Sequence, residues 1–262
     1  MDSGLKNSHV FITGASGGIG IAMCKLYLQE GAKITAHYNN NPIELTDLKS
    51  EFPESVCLVQ ADVLDEKMLI SAVEQSVNEL GTIEHMIVNH GIWLETPVSI
   101  ADMTLDQWNR TIGTDLTGAF LFTREYLKQL KNHTDEIHAP SIVYIGSTAG
   151  IFGEENHADY ASAKSALMYG LTKSAKNEIV RIHPMGRVNS VAPGWVRTPM
   201  AEGALKDKKV VAKVLATMAL RKIATPEDIA NATIFLTSKL SGHTSGDIIE
   251  VTGGMEGRTL HS

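Results

Sequence analysis

Short β-branched runs alternate with longer stretches in which apolar residues recur every three to four positions, along the whole 262-residue chain. The runs "HVFIT" (9–13), "KITAHY" (33–38), "VCLVQAD" (56–62), "HMIVNHG" (85–91), "SIVYIGS" (141–147), "GRVNSVAPG" (186–194) and "GDIIEVTGG" (246–254) predict seven strands. Helical periodicity fills 19–31, 42–52, 66–81, 104–130 and 160–179 between them. Strands alternating with helices imply an α/β fold: a doubly wound, Rossmann-type, mostly parallel seven-stranded sheet with helices on both faces. No linker, low-complexity tract or repeat beyond this alternation interrupts the pattern. A single domain over 1–262 is therefore expected, with 43% hydrophobic residues to form its core.

Charge and cysteine content narrow the classes. The formal net charge of −7 argues against nucleic acid as the partner, since phosphate binding requires a basic face. Cys24 and Cys57 read as packing residues, not as a disulfide framework. Ten histidines are present, but none has a second ligand at metal spacing, so no metal is expected. The N-terminal "MDSGLKNSHVFITG" lacks a basic segment followed by a long apolar one, and no run of about 18 apolar residues occurs. A cytoplasmic protein without a membrane span is expected.

The first candidate for chemistry is "TGASGGIG" (13–20), which follows the first strand and opens the first helix. Gly14, Gly18 and Gly20 let the backbone turn tightly, and Ser16 and Ile19 lie in the same turn. A helix N-terminus there offers free N–H groups to a pyrophosphate. The spacing differs from G-x-G-x-x-G, so the turn gains its weight from its strand–turn–helix setting. The end of the second strand, "AHYNNNP" (36–42), holds no acid to accept from a ribose 2′-OH, which favours NADP(H) and leaves NAD(H) open. No Arg or Lys stands there either; His37 and Asn39 offer hydrogen bonds and, for His37, partial charge. Asp62, followed by Val63, either accepts from an adenine amino group or caps the next helix. Asn89 and Gly91 end the fourth strand at the sheet's carboxyl edge, where ligands bind in such folds.

The second candidate is the set Ser147, Tyr160 and Lys164. Ser147 ends the fifth strand, and Tyr160 and Lys164 are one helical turn apart in "DYASAKSAL". A phenol is normally too weak an acid for two-way proton exchange at neutral pH. An ammonium about 4 Å away, at an effective dielectric of about 20, is worth roughly 4 kcal/mol toward ionising it.

Together these motifs resemble the short-chain dehydrogenase/reductase family nearly end to end. The resemblance rests on "TGASGGIG", on Ser147 with Tyr160-x-x-x-Lys164, on "APGWVRTPM", and on "ATPEDIANATIFL" (224–236) before the last strand. It implies hydride transfer between a nicotinamide cofactor and a carbonyl or secondary alcohol. Tyr160 would be the acid, Ser147 would orient the substrate oxygen, and Lys164 would also hold the nicotinamide ribose. Pro193, Gly194, Val196 and Thr198 would line the nicotinamide site. One position departs: Asp115 in "TDLTG" stands where the family has Asn. The resemblance further implies a homotetramer or homodimer and a substrate loop at about 195–222. His157, Trp93 and Trp195 are the candidate substrate contacts, with Glu95, Ile151, Phe152, Asp159 and Met200 on nearby loops. A ketone reductase, a 3-oxoacyl thioester reductase and a sugar or polyol dehydrogenase are all compatible, as is a regulatory protein that kept the cofactor site. An acyl carrier partner would need a basic patch, for which Arg124, Lys128 and Lys131 are the candidates.

Overall fold

The computed structural model describes residues 2–260. Its strands are β1 (His9–Ile12), β2 (Lys33–Tyr38), β3 (Val56–Gln60), β4 (His85–Val88), β5 (Ser141–Ile145), β6 (Arg187–Pro193) and β7 (Ile248–Val251). They form one sheet in the order β3-β2-β1-β4-β5-β6-β7, and all six pairings are parallel. The four central strands β1, β4, β5 and β6 are buried along their whole length, as a sheet covered on both faces requires. The strand order reverses between β1 and β4, which opens a crevice beyond their carboxyl ends.

Alternation along β1 divides the core. Val10 and Ile12 face one layer, packed with Met23 and Tyr27 of α1 (Gly18–Gln29) and with Ile229 and Leu236 further along the chain. Phe11 faces the other layer, with Leu69, Phe122, Tyr126 and Ile179. Helices α2 (Ile43–Glu51) and α3 (Glu66–Leu80) follow the expected pattern. The 104–130 helix becomes α4 (Leu105–Ile112), a π turn at Gly113–Thr117, and α5 (Gly118–Asn132). Beyond β5 come a short α6 (Ala149–Phe152), α7 (Ala158–Ser165), a second π turn at Ala166–Leu171, and α8 (Thr172–Ile182). Such π turns commonly mark functional sites, and periodicity does not reveal them.

The segment 198–220 holds two short helices, α9 (Glu202–Lys206) and α10 (Lys208–Ala216). Asp207 ends the first and caps the second by accepting from Lys209 N–H at 2.8 Å. Helix α11 (Pro226–Thr237) ends on a buried Arg187, whose guanidinium donates to the carbonyls of Leu236 (2.5 Å) and Thr237 (3.0 Å). These carbonyls have no intrahelical partner, so the cation both satisfies them and meets the helix dipole. Cys24 and Cys57 are free and buried. Among the described residues no helix is long and apolar enough to cross a membrane, and no group of three metal-ligating side chains occurs.

Candidate active site

The glycine turn is built from the backbone. Gly14 has φ +59°, and a Cβ there would lie 2.7 Å from His90 Cα, so no other residue fits. Helix α1 begins with no side-chain cap, which leaves its first N–H groups unclaimed by side chains, with Ile19 and Gly20 in that first turn. This fits a phosphate-bearing cofactor. Ser16 is half-buried and Asn39 exposed at the same edge.

Two residues expected to touch the cofactor brace the turn. His37 is buried; its Nδ1 accepts from Gly14 N–H at 3.2 Å and its Nε2 donates to Ala61 O at 3.0 Å. Burial pushes its pKa down to about 4, so it carries no positive charge for a phosphate at neutral pH. Asn89 turns its amide onto the carbonyls of Thr13 (3.1 Å) and Gly14 (3.0 Å). Asp62 accepts from Leu64 N–H at 3.0 Å, while the cap of α3 is Asp65, which accepts from Lys67 and Met68 N–H. The capping alternative for Asp62 is therefore corrected. Val63 is buried, packed toward Gly118.

Across the crevice, Pro193 ends β6. Gly194 approaches Thr252, and the buried Val196 pairs in parallel with Ala224. The Thr198 methyl carbon would be only 3.1 Å from a Cβ on Gly18, so the "PG…T" turn faces the glycine turn directly.

Ser147, Tyr160 and Lys164 converge between these two turns. Ser147 Oγ accepts from Ala149 N–H at 3.1 Å, and the Ser147 hydroxyl acts on the Tyr160 phenol, lowering its pKa. Lys164, buried, donates from Nζ to Ile145 O at 3.3 Å and sits 5.6 Å from the Tyr160 ring centre. Asp115 projects from the first π turn. Its Oδ1 accepts from Ile92 N–H at 2.8 Å and its Oδ2 lies 3.4 Å from Lys164 Nζ. Gly91 lets the pair approach, because a Cβ there would be 2.9 Å from both charged atoms.

The electrostatics differ from the simple expectation for Tyr160. Burial raises its pKa above the usual phenol value; Lys164 opposes this, but Asp115 adds to it. Burial disfavours the Lys164 ammonium, yet Asp115 and Tyr160 outweigh it and raise its pKa. Burial raises the pKa of Asp115, against the pull of Lys164 and the Ile92 N–H. Lys164 therefore serves the Asp115 carboxyl group as well as the phenol.

Residues on the substrate side separate into three groups. Trp93 and His157 stack with ring centres 4.8 Å apart and planes 16° apart. Trp195 packs with Val214, Met218 and Ile223 in a small apolar cluster under 195–222. Asp159 is buried and accepts from Thr111 Oγ1 at 2.7 Å and Gln107 Nε2 at 3.3 Å, tying α7 to α4. Two residues outside the expected set matter. His90 joins Thr13 Oγ1 (2.7 Å) and Thr114 O (3.1 Å), linking the glycine turn to the Asp115 π turn. Glu154 accepts from Trp93 Nε1 at 3.2 Å. His90 lies between Asn89 and Gly91, but its role as a link, like that of Glu154, emerges only from the three-dimensional contacts.

The crevice is thus the site of a nucleotide-dependent oxidoreductase. A family model described as enoyl-(acyl carrier protein) reductase matches residues 14–256. The chain is 30% identical over 253 residues to the 3-oxoacyl-[acyl-carrier-protein] reductase FabG of Thermotoga maritima, covering 96% of this chain and 98% of that one. It is 30% identical over 249 residues to the cis-4-hydroxycyclohexanecarboxylate dehydrogenase of Sinomonas cyclohexanicum, covering 93% and 94%. The crystal structure of a short-chain dehydrogenase/reductase titled glucose/ribitol dehydrogenase, from Brucella melitensis, superimposes with a TM-score of 0.87 at 27% identity, covering 98% and 99%. The chain belongs to the short-chain dehydrogenase/reductase family.

Proposed function

We propose that the protein transfers hydride between NADP(H) and a small ketone or secondary alcohol. The observation that carries this reading is the meeting of Ser147, Tyr160 and Lys164 at the carboxyl edge of the sheet, between the glycine turn and Thr198. The bound nicotinamide supplies or accepts the hydride. The Ser147 hydroxyl orients the substrate oxygen. The Tyr160 phenol gives its proton to the developing alkoxide in reduction and takes it back in oxidation. The Lys164 ammonium holds the phenolate in the state between, and the Asp115 carboxylate fixes the ammonium.

Lack of an acid at 36–42 supports NADP(H) over NAD(H), with Ser16 and Asn39 as neutral donors. His37 adds no charge to that preference. A 3-oxoacyl thioester as substrate has the support of the FabG relatives. Against carriage on an acidic protein, Arg124 is already paired with Glu66 (2.6 Å) and Glu125 (2.7 Å), and Lys128 with Glu125 (2.9 Å). A free sugar, polyol or cyclic alcohol therefore fits better. In the same reading the chain is a single domain in the cytoplasm, 195–222 covers the substrate, and copies associate as a tetramer or dimer. Phe120 and Tyr169, each about half exposed on the central helices, support that association.

The test is oxidation of NADPH and NADH by the pure protein with a 3-oxoacyl thioester, a cyclic ketone and a keto-sugar, wild type beside Tyr160→Phe. Loss of the general acid should lower kcat at least about 100-fold. A cofactor-binding protein with little turnover is the second reading, favoured by the carboxylate beside Lys164. Tight NADPH binding without turnover of any substrate would establish it.

A further inference from the structure

Glu154 lies on the loop between α6 and α7, six residues before Tyr160, and this loop is clasped to residues 92–98. Trp93 Nε1 donates to Glu154 Oε1 at 3.2 Å; His157 Nε2 is 3.0 Å from Leu94 O; Val98 N–H donates to Asn156 O at 3.0 Å. The His157 ring lies flat on the Trp93 indole, and its Nδ1 is 3.7 Å from the same Glu154 oxygen. Oε1 is therefore held by the indole N–H, with His157 Nδ1, which is 3.2 Å from Glu155 O, close by. Among the described residues no donor bonds the second oxygen, Oε2.

The clasp also leads straight to the reacting groups. Ile92, next to Trp93, is the residue whose N–H holds Asp115. The negative charge of Glu154 acts on the Tyr160 phenol, raising its pKa, and burial raises the pKa of Glu154 itself. A half-buried carboxylate oxygen without a hydrogen-bond donor carries a desolvation cost that a bound donor would offset. Glu95 adds a second acid nearby, facing α9: a Cβ on Gly203 would be 3.7 Å from its Oε1.

We propose that Glu154 determines specificity, its Oε2 accepting a hydrogen bond from a substrate hydroxyl next to the reacting carbon. The site then takes neutral hydroxyketones and the corresponding diols, and disfavours substrates that carry a carboxylate at that place. This inference rests on the oxidoreductase reading above. Hydrogen bonds to a charged acceptor commonly contribute about ten- to a hundredfold in affinity. An anion in the same position meets like charge and loses by a comparable factor.

The experiment measures kcat and KM for 2-hydroxycyclohexanone, cyclohexanone and 2-oxocyclohexanecarboxylate with wild type, Glu154→Gln and Trp93→Phe. Wild type should prefer the three in that order. Glu154→Gln should lower the kcat/KM ratio of hydroxyketone to ketocarboxylate about tenfold or more, chiefly through KM. Trp93→Phe keeps the stack on His157 but removes the indole donor, and should lower the ratio by a smaller factor. A ratio unchanged within twofold in Glu154→Gln, or a wild type that prefers the ketocarboxylate, would overturn the proposal while leaving the oxidoreductase reading intact. No turnover of any of the three with either cofactor, in wild type as in Tyr160→Phe, would overturn the oxidoreductase reading and this inference with it.

Discussion

Asp115 Oδ2 lies 3.4 Å from Lys164 Nζ, and both side chains are almost wholly buried. At that separation the pair is longer than a tight charge-assisted hydrogen bond, which runs about 2.7–2.9 Å. The carboxylate also raises the pKa of Tyr160 and of Lys164. Asp115→Asn, which removes this charge, should lower both. Reduction needs the protonated phenol, so its alkaline limb should move to lower pH. Oxidation needs the phenolate, so its rise should begin at lower pH and its rate near neutrality should increase. Profiles of kcat/KM against pH in both directions check this. Unmoved limbs would mean that Asp115 acts on neither group.

The same pair makes a stability prediction. Removing one partner of a buried ion pair leaves an uncompensated charge, typically at a cost of about 3–5 kcal/mol. Lys164→Met should therefore lower unfolding free energy by about that amount as well as abolish turnover. Adding Asp115→Asn should restore part of the stability and none of the activity. Urea unfolding of the two single variants and the double variant forms the cycle. Additive losses would show that the two side chains are not energetically coupled.

Gly91→Ala probes the approach of the pair without altering either charge. The added methyl would sit 2.9 Å from Asp115 Oδ2 and from Lys164 Nζ, so one of them must move. A displacement of about 1 Å in a catalytic group can cost about 100-fold in rate. The expected result is a loss of kcat of that order, with the circular dichroism spectrum and sheet stability close to wild type. Activity within threefold of wild type would show that the ammonium position is not critical.

Much of this was legible in the chain. Strands such as "SIVYIGS" read clearly because a sheet covered on both faces needs continuous apolar runs, and β5 is buried at all five positions. The glycine turn and the Ser147, Tyr160, Lys164 set were legible because each has a fixed spacing within strand–turn–helix units. What sequence reasoning missed depends on orientation. His37 reads as a hydrogen-bonding group with partial charge for the cofactor, but its ring bonds Gly14 N–H and Ala61 O. Asp159 adjoins Tyr160 in sequence, yet its helix turns it toward Thr111 and Gln107. Glu154 acquires its role only through Trp93, 61 residues away.

The buried histidines give the last prediction. His9, His37 and His85 have pKa values pushed down to about 4, and His90 to about 3, chiefly by burial. In the unfolded chain all four titrate near 6.5. Between that value and the folded values, the unfolded state binds protons that the native state refuses. Stability is therefore full above about pH 6.5 and falls as pH drops toward 4, with each histidine contributing about 1.4 kcal/mol per pH unit. His37 adds a functional consequence, since protonation removes the acceptor for Gly14 N–H and loosens the phosphate cradle. Urea titrations at pH 7.0, 6.0 and 5.0 should show this fall. His37→Asn should flatten the slope by about one proton and weaken NADPH binding at neutral pH. An unchanged slope in the variant would mean that His37 binds protons equally in the folded and unfolded chain, and the brace on Gly14 by a neutral imidazole would have to be assigned to another group.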